Sequence, residues 1–148
     1  MKSRNKYLYN VMFPVWMLML FPIAWLVIVP SNFIIDSLVF VISMYVLKIE
    51  NKKQLYKKNI LKIFAFGFLA DIIGSLLLLS MTFLNISVTG DEWYLTIPAL
   101  FISSVLIFVF NYFVTFKKLD TKNRLKLSLI IAIVTAPYTF LIPISWIY

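Results

Sequence analysis

Two aspartates stand where hydrocarbon dominates. Asp36 is the only charged residue between Phe13 and Leu47, and Asp71 is the only one between Lys62 and Asp91. A carboxyl inside a bilayer costs roughly 2.5–3.5 kcal/mol on insertion scales, so it faces a bundle interior and pairs with something there. The chemistry open to it is a cation or proton site, a ligand contact, or an acid/base pair if both carboxyls meet. The structural alternative is a carboxyl that does no more than hydrogen-bond a neighbouring helix.

Other polar side chains recur at helical spacing. Asn32, Asp36 and Ser43 share one face, Ser104, Asn111 and Thr115 a second, and Ser128, Thr135 and Thr139 a third, with Pro137 and Pro143 beside them. Taken singly, each stripe reads as contact between helices. Taken with Asp71, they give four spans one polar face each, which predicts an interior polar cavity. Gly67, Ala70 and Gly74 flank Asp71 as a small-residue stripe, where another helix can approach closely.

What is missing narrows the chemistry. The chain has no Cys and no His, which removes disulfides, thiol nucleophiles, the usual zinc sets and the commonest general base. No phosphate loop, nucleophile elbow, metalloprotease helix or paired-carboxylate constellation is present, and the loop acids Asp91 and Glu92 are adjacent and solvated. The expectation is a protein that is not an enzyme and carries no metal or cofactor.

Of the 148 residues, 62% are hydrophobic and only 14% are charged. That is too little charge for the shell of a soluble domain. The class is an all-α polytopic membrane protein, with residues 1–148 as one integral membrane domain. Its N-terminus has a basic start but no small-x-small cleavage site, so it is read as a retained span and not a signal peptide.

Charged stretches punctuate the chain. Lys2, Arg4 and Lys6 come first, then six lysines from Lys48 to Lys62, then the acidic pair Asp91 and Glu92, then five bases from Lys117 to Lys126. Residues 63–84, 95–116 and 127–148 each give a 22-residue span. Residues 11–47 are harder, because 37 residues of helix would reach about 55 Å across a core of about 30 Å. Crossing twice, with a turn at Pro30-Ser31-Asn32, puts all 14 Lys and Arg on one side, as the positive-inside bias prefers. The predicted architecture is therefore a bundle of five transmembrane helices, at about 11–29, 32–47, 63–84, 95–116 and 127–148. Spans one and two form a tight hairpin, the N-terminus is cytoplasmic and the C-terminus outside. In that frame Asp36 sits roughly 9 Å below the outer turn and Asp71 roughly 15 Å into its span.

The stretch FVFNYFVTFKK, residues 108–118, resembles the Asn-x-Phe-x-x-Phe-Arg span ending of the GtrA-type family of small flippase-like proteins. The resemblance covers eleven residues and implies a four-span protein implicated in moving lipid-linked sugars. The fifth predicted span and the long basic loop after span two depart from that pattern.

Three functions are compatible with these residues. The first expectation is a non-enzymatic accessory or assembly subunit, or an immunity-type protein, of a membrane system. The alternative is a small transporter, channel or lipid-linked-substrate flippase with Asp36 and Asp71 in a polar interior. The last is an intramembrane enzyme using the two aspartates. Expected partners are anionic lipid headgroups at the Lys-rich cytoplasmic loops and a membrane-protein partner or a second copy of the chain. Nucleic acid is not expected, because the bases hug the span ends. Lys-, Ile-, Asn- and Phe-heavy usage suits a bacterial protein of the plasma (inner) membrane.

Overall fold

A computed structural model describes residues 15–84, 86 and 93–142. The described chain is helical, without a strand, and it holds four helices long and apolar enough to cross a membrane. Helix α1 spans Trp25–Val46, α2 Lys52–Phe83, α3 Trp93–Phe110 and α4 Thr121–Val134. A π-helical turn, Asn111–Thr115, prolongs α3. Short 3-10 segments lie at Val15–Leu20, Pro22–Ala24 and Tyr138–Leu141. Each long helix packs on its sequence neighbours, and α1 also packs on α4, so the four close into an antiparallel ring.

The surface is inverted relative to a water-soluble bundle. Ile34, Leu38, Ile42 and Tyr45 run along α1 at helical spacing and are exposed, whereas Asp36 and Ser43 of the same helix are buried. Ser75, Thr96, Ser103, Asn111 and Ser128 are buried too. Apolar side chains outside and polar ones inside are what a bilayer selects, since unpaired polar groups cost most where no water reaches them.

The hairpin expected at Pro30-Ser31-Asn32 is not there. These residues lie inside α1, which runs unbroken from Trp25 to Val46. Proline removes one donor and leaves the carbonyl four residues earlier without its usual partner. One backbone bond, that to Leu26 O, is given up, and Ser31 Oγ donates to the next carbonyl, Val27 O, at 2.7 Å. The chain instead breaks at Phe21, between the 3-10 segments, and Trp25 Nε1 donates back to Met19 O at 2.8 Å. Residues 15–21 form no part of a membrane-length helix, and Pro22–Ala24 lead into the first one as a 3-10 turn. Trp16 is buried with Leu78, Ala99 and Phe140, and Ser75 Oγ donates to its carbonyl. The rest of the first expected span, and both chain ends, lie outside the described residues.

The other spans shift as well. Helix α2 begins eleven residues before the expected 63, taking in most of the Lys-rich loop. Its 32 residues make a rod of about 48 Å, roughly 18 Å longer than a hydrocarbon core. The extension is amphipathic: Asn59, Ile60 and Ile63 are buried, while Lys53, Lys57, Lys58 and Lys62 are exposed. Tyr56 stacks on Phe40 and its hydroxyl donates to Ser37 Oγ at 3.0 Å. The last span starts at Thr121 instead of 127, and its α-helix stops at Val134, ahead of Pro137.

The π turn has a readable cause. Phe116 N–H bonds Asn111 O, five residues back, which leaves Tyr112 O without its helical donor. Arg124 Nε donates to that carbonyl at 2.6 Å and its guanidinium lies 3.9 Å from the Tyr112 ring centroid. Such π turns cluster at functional sites.

Asp120 caps α4, accepting from the Asn123 backbone N–H at 3.1 Å and from Asn123 Nδ2 at 2.8 Å. These bonds hold its carboxyl below the usual carboxylate range. A depressed folded pKa means that the cap is fully formed above the unfolded value of about 3.9 and is lost as pH falls through the folded one. Hydrogen exchange at the Asn123 amide is expected to quicken in Asp120→Ala near neutral pH. In the parent chain the same quickening is expected only below about pH 4. Equal exchange in parent and variant at neutral pH counts against the cap.

Candidate functional site

Asp36 sits in the middle of α1, eleven residues from Trp25 and ten from Val46, so roughly 15 Å from either end. It is therefore not a shallow group near an outer turn. Because α1 and α2 run antiparallel, the middle of α1 meets the stretch of α2 around Asp71. An ideal Cβ on Gly67 would stand 3.4 Å from Asp36 Oδ2, and Asp71 lies one turn further along. Asn32, one turn from Asp36 on the other helix, donates from Nδ2 to Asp71 Oδ2 at 3.4 Å, a long contact. The two aspartates thus occupy one level of the bundle, each about 95% buried.

They line one cavity of about 380 Å³, together with Asn32, Gly67, Thr135 and Thr139. Thr135 lines the same cavity, and its hydroxyl donates to Ile131 O at 2.8 Å. Asp71 Oδ1 is fully enclosed and has no hydrogen-bond partner among the described residues. Most of the remaining wall is apolar, including Met19, Val27, Ile35 and Val134. Among the described residues, no Lys or Arg lines it.

The break in α4 shapes the cavity's upper part. Thr135, Ala136 and Pro137 leave helical geometry, and the following 3-10 turn carries Thr139 to the rim while Phe140 turns inward. Chemically, this is a pocket onto which two carboxyls from different helices converge, with no cation beside them among the described residues. A positively charged group placed between the carboxyls would favour their ionised form. Volume and lining match an ordinary small-molecule pocket, mostly apolar with a few convergent polar groups.

Other residues singled out from the sequence lie elsewhere. Ser104 Oγ donates to Leu100 O at 2.9 Å within its own helix. Asn111 is buried at the π turn, its Nδ2 bonded to Ile107 O at 2.9 Å and its Oδ1 unpartnered among the described residues. Thr115 is buried one turn beyond. Helix α3 therefore sends no side chain to the Asp36–Asp71 cavity; the polar faces of α1, α2 and the α4 end converge without it. Gly74 and Ala70 face α3: Ser103 Oγ donates to Ala70 O at 3.0 Å and crowds Gly74.

Two buried or lining polar residues escape the sequence reading, one of them in this cavity. Ser31, taken for a turn, lines the cavity. Asn59, assigned to a loop, is buried on α2; the spacing of Leu55, Tyr56, Asn59, Ile60 and Ile63 was the signal that could have found it.

Comparison with protein-family models, with curated proteins and with solved structures finds no match to this chain. The eleven residues from 108 to 118 have their own structural account, as the π turn beneath Arg124.

Proposed function

We propose that the chain is a small multi-pass protein of the plasma membrane that binds a cationic substrate in the Asp36–Asp71 cavity, in the manner of a small transporter. The observation that carries this reading is the meeting of two carboxyls, from different helices, in one largely apolar cavity with no base beside them among the described residues. An apolar wall suits an organic cation better than a bare metal ion, which needs a shell of oxygen ligands. Such cations partition into membranes and reach a mid-bundle site without crossing bulk water.

The test is titration of purified protein with ethidium, a lipophilic cation whose fluorescence rises on leaving water. Saturable binding lost in Asp36→Asn and Asp71→Asn supports the reading. Absence of saturable binding, together with a stoichiometric protein partner on purification in mild detergent, favours the accessory-subunit role that the lack of catalytic residue types also fits. An intramembrane enzyme would show turnover dependent on both aspartates.

Orientation follows from charge. The α1–α2 and α3–α4 turns lie at one end of the bundle and carry the lysines, so the positive-inside bias places that end in the cytoplasm. A chain without cysteine suits single-cysteine labelling. An impermeant maleimide is expected to reach Gln54→Cys and Lys118→Cys only from the cytoplasmic side and Ile86→Cys only from outside. Ile34→Cys is expected to stay unlabelled, since it lies nine residues inside α1 and faces outward. Rapid labelling of Ile34→Cys from outside would restore the hairpin at Pro30.

A further inference from the structure

At the opposite end from the break in α4, the two lysine-rich turns face each other across a cleft of about 260 Å³. Lys58 and Lys62 stand on the α2 wall and Lys117 and Lys118 on the α3–α4 turn; Glu50 is the one acid. None of these lysines is ion-paired among the described residues. The chain has thus gathered four ammonium groups around one concavity that holds a single carboxylate, Glu50, and no ion pair among the described residues. Surface lysines that serve only to set topology need no such gathering, because the positive-inside bias counts charge and not geometry.

Thr115 gives the second, independent observation. It lies at the cleft's inner wall, about 95% buried, and its Oγ1 has no partner among the described residues. Asn59, 97% buried, lines the same floor. An enclosed hydroxyl without a partner is costly, and the π turn is what places it here, by displacing Thr115 from regular helical register. Lysine ammoniums at the rim and a hydroxyl and an amide at the floor are the donors that phosphate oxygens take. The start of α2 adds the positive end of its dipole to the same rim.

We propose that this cleft is a phosphate-binding site, taking the phosphate group of an anionic lipid headgroup or of a soluble phosphate compound. The site is independent of the cation cavity, which lies in the middle of the bundle.

Purified full-length protein in a neutral maltoside detergent is titrated with two probes, inorganic phosphate and dioctanoyl phosphatidic acid. Saturable binding is expected, weakened at least tenfold in the pair Lys58→Ala/Lys118→Ala. The control pair Lys122→Ala/Lys126→Ala removes the same charge outside the cleft and is expected to change affinity less than twofold. Thr115→Val, which keeps shape and charge, is expected to weaken binding about threefold. Binding of inorganic phosphate with these effects identifies a soluble-phosphate site, and binding of phosphatidic acid alone identifies a headgroup site. Equal losses in the two lysine pairs, or no saturable binding of either probe, overturns the proposal. Should Lys58→Ala/Lys118→Ala fail to fold, Thr115→Val with parent-like affinity for both probes overturns it as well.

Discussion

Asp71→Asn is expected to lower ethidium affinity more than tenfold, about 1.4 kcal/mol, while leaving the fold intact. The substitution keeps the side chain's shape and still offers Asn32 an acceptor, but it removes the charge. Asp71→Leu sharpens the contrast. Asp71 Oδ1 is enclosed without a partner among the described residues, so an apolar replacement removes a desolvation cost that the long Asn32 contact to Oδ2 offsets only weakly. Replacing buried ionisable groups by apolar ones of similar volume is often neutral or stabilising by about 1–4 kcal/mol. A raised unfolding midpoint with binding abolished is the signature of a residue kept for function at the expense of stability. Tryptophan fluorescence in detergent reads the midpoint. If Asp71→Leu unfolds the bundle, and Asp71→Asn binds ethidium like the parent, the carboxyl is helix–helix contact and the cation site is wrong.

Gly74→Ala is expected to destabilise the bundle by about 1–3 kcal/mol, the usual range for overpacking, whereas Gly67→Ala should not. A Cβ on Gly74 would lie 2.7 Å from Phe140 Cε2 and 3.0 Å from Phe140 Cζ, and nearer still to Ser103 Oγ. Phe140 is fully buried and has little room to retreat. A Cβ on Gly67 meets only Asp36 Oδ2, at an ordinary 3.4 Å. Both changes gain the same helix propensity, about 1 kcal/mol, so the difference between them isolates packing. Gly67→Ala narrows the cavity beside Asp36 and is expected to weaken ethidium binding several-fold without lowering the unfolding midpoint. Equal midpoints for the two variants would show that Gly74 is not a packing position.

These two glycines also mark where a linear reading stops. Seven residues apart, they point almost the same way from α2, and from the sequence they form one stripe. In the bundle they meet different neighbours. The helices cross, so the face that looks at α1 near Gly67 looks at Ser103 and the 3-10 turn near Gly74. No periodicity along one helix encodes what lies opposite it.

The sequence by itself determined the chemistry at stake. Its hydropathy made the chain helical and apolar enough for a membrane, its lack of Cys and His removed thiol and imidazole chemistry, and Asp36 and Asp71 stood out against hydrocarbon. What it left to the tertiary structure was the register. Charge counting favoured a turn at Pro30, because the positive-inside bias weighs loops and knows nothing of packing. The folded chain instead carries Pro30 within α1 and breaks at Phe21, where the 3-10 segment can bury Trp16 against Leu78 and Phe140. That choice moves Asp36 from the outer margin to the centre of the bundle and sets it beside Gly67 and Asp71. Two isolated acids become one site because an antiparallel pairing of helices, a property of the whole bundle, decides which residues share a level.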